Sequence, residues 1–487
     1  MMSFHHKSDL ERVARRALRD RDLLDSFDDA CLGQLENIVG PASESGADIR
    51  DLRGLPWCSI DNDESKDLDQ LSAALLSPDG SVRVFVAIAD VDALVGRSTP
   101  LDAHAGHNTA SVYAAGHVFP MVPEKLSTDY TSLGADVDRI SVIVEFVVRE
   151  EGALAESEIS RGVVRNHAKL TYNDVGAWIE GSGPLPTAVA AVPDMDGQLR
   201  LQASVAARLR KQRHERGALD FSSREARPVF RNGAVVGMQA EKPNRAKELI
   251  EELMIASNGI AARFLDAKSR PGLRRVVRSP ERWAKIVGVA AQLGESLPGQ
   301  PSARALEAFL AKQRVADPLR FPDLSLVIIK LMGAGEYVAE LPGDAHTGHF
   351  GLSVKDYTHA TAPNRRFSDL VTQRLLKAAL ADVPSPYGIA ELSAIASHCT
   401  AQESAIAKVE RQVHKSAAVL VLENRVGESF DGVVTGAADK GTWVRLFEPP
   451  VEGRIVQGMF GLQVGDGVRV KLLDTNFERG YLDFARA

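Results

Sequence analysis

The sequence predicts an α+β protein in three parts: a small helical module over residues 1–50, a mixed core over 51–425 and a small β-barrel over 427–487. Three observations predict it. Apolar residues recur at helical spacing near the N-terminus, strand-like runs alternate with helical stretches through the middle, and short runs separated by glycine turns fill the C-terminal part. A chain of 487 residues is too long for one ordinary core, so a large central domain with smaller attachments is expected.

Leu10, Val13, Ala14, Ala17 and Leu18 share one face of a helix predicted over 8–25, with Ser8 and Glu11 as a capping box. A second helical pattern follows, with Ser26 and Asp29 as a weaker box and Phe27, Cys31, Leu32, Leu35 and Ile38 along one side. GPASESG at 40–46 reads as a linker. Two short helices carrying arginines fit a helix-turn-helix, and equally a helical extension packed on the main domain. From Leu55 the texture changes: VRVFVAIADV (82–91) and RISVIVEFVV (139–148) are expected to be buried strands, 245–266 a helix, and 385–425 further helices. At the C-terminus SFDGVVTGAADKGTWVRLF, PPVEGRIVQG, GDGVRVKLLD and YLDFAR have the pattern of an OB-type barrel, a fold that binds single strands by stacking bases on aromatic rings.

Composition is that of a soluble globular protein, 44% hydrophobic and 25% charged, which excludes low-complexity and membrane-spanning classes. Cys31, Cys58 and Cys399 are too scattered for a disulfide framework, and with no signal peptide the expected location is the reducing cytoplasm. The net charge of −7 does not advertise a polyanion binder, but local potential decides such binding. Three basic stretches stand out: RVARRALRDR, ARLRKQRHER (207–216) and KSRPGLRRVVRSPERWAK (268–285). Any one alone reads as a solvated face.

The run IDNDESKDLDQ, Ile60 to Gln70, gathers Asp61, Asp63, Glu64, Asp67 and Asp69 between the apolar segments LPWCSI and LSAALL. Two carboxylates about 4 Å apart repel by roughly 4 kcal/mol at an effective dielectric near 20, so a partly buried cluster calls for a cation. A calcium loop of EF-hand type fails, since Lys66 and Ser72 stand where it demands glycine and a bidentate glutamate. An all-oxygen donor set without His or Cys disfavours zinc and favours magnesium, with manganese as the alternative.

In order along the chain, IDNDESKDLDQ, VAIADV, VYAAGHVFPMVPEKLS, VDRISVIVEF, AKLTYNDV, RGALDF, ELIEELMIASN and HFGLSVKDYTHATAPNRRFSDLV resemble the catalytic (RNB) domain of the ribonuclease II and R family, over about 55–425. The segment GESFDGVVTG…GTWVRLF resembles the S1 domain that follows it in that family. The resemblance implies mixed sheets with surrounding helices and a central channel. It also implies processive, magnesium-dependent hydrolysis of RNA from the 3′ end, releasing nucleoside 5′-monophosphates. By the same resemblance Asp61, Asp67 and Asp69, with Gln70 beside them, are the metal-binding positions, and Asp67 and Asp69 take part in catalysis. Arg365 matches the arginine that steadies the transition state, and Tyr113 the aromatic that clamps the 3′-terminal nucleotides. Phe221 matches a base-stacking ring, and Glu251 or Glu252 an acceptor for sugar or base. Arg366 holds either the RNA backbone or a structural ion pair, and Lys440 and Trp443 are the expected RNA contacts of the barrel. The three basic stretches are then expected to line the channel.

The chain departs from the family pattern at three points. Gln70 stands where the family usually has another aspartate, and an amide brings no charge, so one metal is held more weakly or by Asp63. Helical residues stand where bacterial members carry cold-shock domains, which implies a different route in for RNA. The barrel has Lys440 and Val456 where S1 domains often have an aromatic and a histidine. Two alternatives stay open: a catalytically weak or silent RNA-binding regulator or scaffold of the same fold, and a protein directed to nucleic acid by its N-terminal helices. The partner implied is RNA with a single-stranded 3′ end, structured RNA included. No membrane or obligate protein partner is implied, and the expected state is a monomer.

Overall fold

A strand that is apolar on both faces must be covered on both, and Val82–Ala89, in which only Arg83 escapes full burial, lies at the centre of a seven-stranded sheet. The computed structural model describes residues 6–222, 226–240, 243–318, 320–438 and 441–487. Across the sheet the order is Ile49–Asp51, Leu154–Arg165, Asp138–Val148, Val82–Ala89, Gln70–Leu76, Cys58–Asp61 and Ala168–Thr171. The inner pairings are antiparallel and the two outermost are parallel. Helices Met195–Glu215, Arg245–Ala267 and Phe367–Leu380 share the core of this sheet. The first is locked on by polar contacts: Ser72 Oγ donates to Gln202 Oε1 at 2.8 Å, and the Ala74 amide to Gln198 Oε1 at 3.0 Å.

The region 385–425 forms one continuous helix, Ile389–Leu422, rather than several. It passes through three cores in turn. Leu392, Ala396 and Cys399 enter the main core; Ile406, Val409 and Val413 meet the first helix; Ala418, Val419 and Leu422 meet the C-terminal barrel. That barrel is closed, in the order Ser429–Ala438, Gly441–Leu446, Glu452–Gln457, Tyr481–Arg486, Gly467–Asn476. Closure leaves no free edge, and Phe430, Val434, Val444, Ile455, Val470, Leu472 and Phe484 fill it. An ion pair from Arg445 to Asp323, at 2.7 Å and largely buried, ties the barrel to helix Phe321–Met332.

The first helix, His6–Arg19, buries the apolar face read from the sequence. It starts before Ser8, which therefore lies inside the first turn and not at the N-cap position, and it ends before the left-handed Asp22 (φ 56°). Helix Asp29–Glu36 is capped by Asp28, whose carboxylate accepts the Cys31 amide at 2.8 Å, and not by Ser26. Cys31 belongs to the main core, so the two N-terminal helices are anchored in different clusters. The segment read as a linker is pinned, because Glu44 accepts two Arg161 nitrogens at 2.6 and 2.7 Å. Among the described residues no helix is long and apolar enough to cross a membrane.

Candidate active site

Strands Cys58–Asp61 and Gln70–Leu76 run antiparallel, so the acidic run between them is the connecting loop and projects from one end of the sheet. The loop is stapled to a neighbouring turn. Ser132 Oγ donates to the Lys66 carbonyl at 2.7 Å and accepts the Leu68 amide at 3.1 Å, and the Leu133 amide donates to the Leu68 carbonyl at 3.0 Å. Asp63 accepts the Asn173 side-chain amide at 2.8 Å.

Asp69 is the buried member, 3% exposed. Burial pushes its carboxyl up to about 7, against the pull of the Arg365 guanidinium and the Asn364 amide. That amide donates to Asp69 Oδ1 at 2.9 Å, and Arg365 Nε lies 3.4 Å from Oδ2. Burial also raises Asp61, opposed by the Asn62 amide, with Asp67 adding repulsion. Asp67 Oδ2 accepts the Tyr113 hydroxyl at 3.2 Å. The Tyr113 ring is 44% exposed while its hydroxyl sits among protein atoms, and that burial, with Asp67 beside it, raises the phenol. Gln70 is half-buried at the first position of its strand, opposite Ile88.

Arg365 and Arg366 diverge. Arg366 donates twice to Asp369, at 2.7 and 2.8 Å, and Asp369 also accepts the amides of Thr361 and Ala362 at 2.9 and 2.8 Å. This fixes the loop that delivers Arg365. Glu251 is exposed, 3.9 Å from Arg213, whereas Glu252 is buried and holds Arg213 from two oxygens. Phe221 packs beside the cluster of Trp283, Phe309 and Phe321. Trp443 lies half-buried on the barrel strand, over Gly436, where a Cβ would come within 3.1 Å of the ring. Lys440 lies outside the described residues.

The donors around the acidic loop are all hard oxygens, which suits a divalent cation of the magnesium type. Among the described residues, the group of three ligand atoms within 4.8 Å of one another lies elsewhere, at Asp266, His346 and Asp356. There Arg274 already pairs with Asp266 at 2.5 Å and with Glu340 at 3.2 Å, and supplies the positive charge a metal would bring.

Sequence reasoning missed two residues. Asn364 joins its backbone to Asp69 and accepts the Thr131 hydroxyl at 2.5 Å, while its Nδ2 is buried without a hydrogen-bond partner among the described residues. It stands within TAPNRRFSDL, so its position was visible though its contact was not. Glu410 accepts the Tyr113 amide at 2.9 Å, and nothing in the local pattern of its helix marks it.

The RNB domain model matches residues 49–382. The chain belongs to the RNB family. The model of the RNase II-type exonuclease C-terminal S1 domain matches 428–487, the closed barrel. Among curated relatives, this RNB chain is 30% identical to Ribonuclease R of Escherichia coli over 479 residues, covering 91% of this chain and 58% of that protein. It is 29% identical to Ribonuclease R of Aquifex aeolicus, covering 89% and 64%. The chain thus spans about three-fifths of the length of these relatives. Of solved structures, the apo form of Mycoplasma genitalium RNase R superposes with a TM-score of 0.87 at 22% identity, over 98% of this chain and 78% of that one. Yeast Ssd1, described as a pseudonuclease, gives 0.72 at 15%, over 95% and 58%. These likenesses establish that the RNB chain has the RNase R fold with its terminal barrel.

Proposed function

We propose that this RNB protein is a processive, magnesium-dependent 3′-to-5′ exoribonuclease that releases nucleoside 5′-monophosphates. The observation that carries the reading is the convergence of Asp67, Asp69, Tyr113 and Arg365, from three distant segments, into one cluster in which Tyr113 bonds to Asp67 and Arg365 pairs with Asp69. Mycoplasma genitalium RNase R, of the same fold, is described in complexes with single-stranded and with double-stranded RNA.

Each residue has work that its chemistry suits. Asp61, Asp67 and Asp69, with the Gln70 carbonyl, would hold the cation, magnesium or manganese. Bound there, it supplies positive charge toward the phosphate and lowers the pKa of coordinated water. Asp69, buried and held by the Asn364 amide and the Arg365 guanidinium, would present a carboxylate of fixed orientation to the cation. The Arg365 guanidinium, oriented by Asp69, faces the charge that builds on the phosphate oxygens. The exposed Tyr113 ring offers a stacking face that accepts any base, and its hydroxyl stays tied to Asp67.

A cavity of about 650 Å³ lined by Arg213, Arg216, Arg263 and Lys355 against Glu252 and Asp356 supplies a net positive hollow for the backbone of a single strand. Phe221, Glu251, Arg366, Lys440 and Trp443 are proposed as further contacts, Arg366 through the loop it fixes. Magnesium, the cytoplasm and the monomer are part of the same reading.

The second reading is a weak or silent RNA binder. Gln70, a neutral residue inside the donor set, and a pseudonuclease among proteins of this fold favour it. One experiment separates the two. The protein is incubated with 5′-labelled single-stranded RNA and magnesium, beside Asp69→Asn. Collapse to a short labelled product that the variant does not make supports the exonuclease; full-length RNA that still shifts on a gel supports the binder.

A further inference from the structure

Among the described residues the first helix makes no hydrogen bond or ion pair to the proposed catalytic side chains, yet its buried face ends against the hairpin that carries one of them. Val112–Ala114 and His117–Phe119 pair around Gly116, whose φ of 83° suits the tight turn. Val112, Ala114 and Phe119 pack in one cluster with Leu10, Val13, Ala14 and Ala17 of that helix. Arg15 lies 5.2 Å over the Phe119 ring, and Glu11 approaches His117 at 3.8 Å.

Just past the helix, Leu24 grips Asn108, the last residue of helix Pro100–Asn108 and four residues ahead of the hairpin. Its amide donates to Asn108 Oδ1 at 2.8 Å, and Asn108 Nδ2 donates to its carbonyl at 2.9 Å. Asn108 is 2% exposed and adjoins Thr109, where the hairpin meets the arginine loop. The Phe367 amide donates to the Thr109 carbonyl at 2.8 Å, and the Ser111 amide to the Arg365 carbonyl at 3.0 Å. One short stretch, 109–113, therefore carries the Arg365 backbone at one end and the Tyr113 ring at the other. The arginines of the helix are engaged by the protein itself: the half-buried Arg15 holds Glu11 and the Asp25 carbonyl, while the exposed Arg19 holds Asp25 and the exposed Arg12 holds Glu478 of the barrel.

We propose that the N-terminal helix and the Leu24–Asn108 clasp set the placement of Tyr113 and Arg365 over the aspartates, which makes Asn108 a positioning residue. The proposal rests on the exonuclease reading. A two-stranded hairpin is marginal on its own, so its geometry is set by what it packs against, and a shift of about 1 Å at a reacting group costs up to about 100-fold in rate.

The test uses the full chain with two sets of changes. Asn108→Leu removes both bonds to Leu24; Glu11→Gln with Arg15→Met loosens the turn end from partly exposed positions and stands in if the first variant folds poorly. Well below each melting temperature, kcat is expected to fall about tenfold with KM within about twofold. In a Tyr113→Ala, Arg365→Lys background, where neither placed group is left to misplace, Asn108→Leu should cost less than about twofold. Amide exchange should rise at 109–114 and 365–367. Equal losses in both backgrounds, or unchanged exchange in those two segments, would overturn the proposal. A wild-type protein that hydrolyses no RNA sinks the exonuclease reading instead, and the exchange comparison still decides whether the clasp holds the hairpin.

Discussion

The Tyr113 hydroxyl donates to Asp67 at 3.2 Å, so the residue proposed to offer a face to the terminal base also restrains one carboxylate of the acidic loop. Removing the two roles separately should give different results. Tyr113→Phe keeps the ring and loses one bond worth about 1 kcal/mol, so kcat should fall roughly fivefold with little change in KM. Tyr113→Ala also loses stacking worth roughly 1–3 kcal/mol, which should raise KM and lengthen the final product on a denaturing gel.

The two adjacent arginines should separate catalysis from folding. Arg365→Lys leaves the buried Arg366–Asp369 pair intact and keeps a cation beside Asp69, so the melting temperature should hold while kcat falls by about 100-fold through loss of the planar donor. Arg366→Lys breaks a bidentate bond to the fully buried Asp369 and should destabilise the protein by about 2–4 kcal/mol, measured by denaturant unfolding.

Gln70→Asp adds a charge to the donor set. Calorimetric titration with magnesium should show tighter binding, since affinity for hard cations follows ligand charge. Unchanged affinity and rate would mean that the amide already suffices at that position.

His346 gives a pH signature away from the acidic loop. A bond to Glu340, with Asp266 and Asp356 nearby, raises its imidazole above the usual value. A raised cationic group contributes stability fully below its unfolded pKa of about 6.5 and loses it as pH climbs through the folded value. The melting temperature of wild type minus His346→Gln should therefore be larger at pH 6 than at pH 8.5, by an amount that fits roughly 0.2–1 kcal/mol.

Arg445 and Asp323 clamp the barrel to the central domain with little exposure at either end. Arg445→Ala leaves a buried carboxylate unpaired, a change worth about 3–5 kcal/mol. Faster proteolysis in the stretch 423–428 between helix and barrel is the expected readout, before any loss of the central core.

Local pattern made much of the fold legible. The buried strands, the helix Arg245–Ala267 and the barrel follow from periodicity and turn chemistry, which depend on neighbours a few residues away. The same local logic misplaced the helix caps at Ser8 and Ser26, because the burial of His6, which accepts the Val235 amide, and the capping bond of Asp28 are decided by packing. It read Glu44 as part of a linker, since the Arg161 that holds it is 117 residues away.

By itself the sequence determined an acidic loop of hard oxygen donors, and the family resemblance added an arginine pair and a tyrosine as the expected partners of that loop. Tertiary structure decided their arrangement. The Asn364 amide reaches Asp69 across 295 residues and Glu410 reaches the Tyr113 backbone across 297. Only folding could separate the roles of Arg365 and Arg366, since burial of Asp369 claims one guanidinium and leaves its neighbour to face Asp69. The physical reason is range: propensity and patterning act within a turn or a strand, whereas desolvation and long-range hydrogen bonds exist only once distant segments share a core.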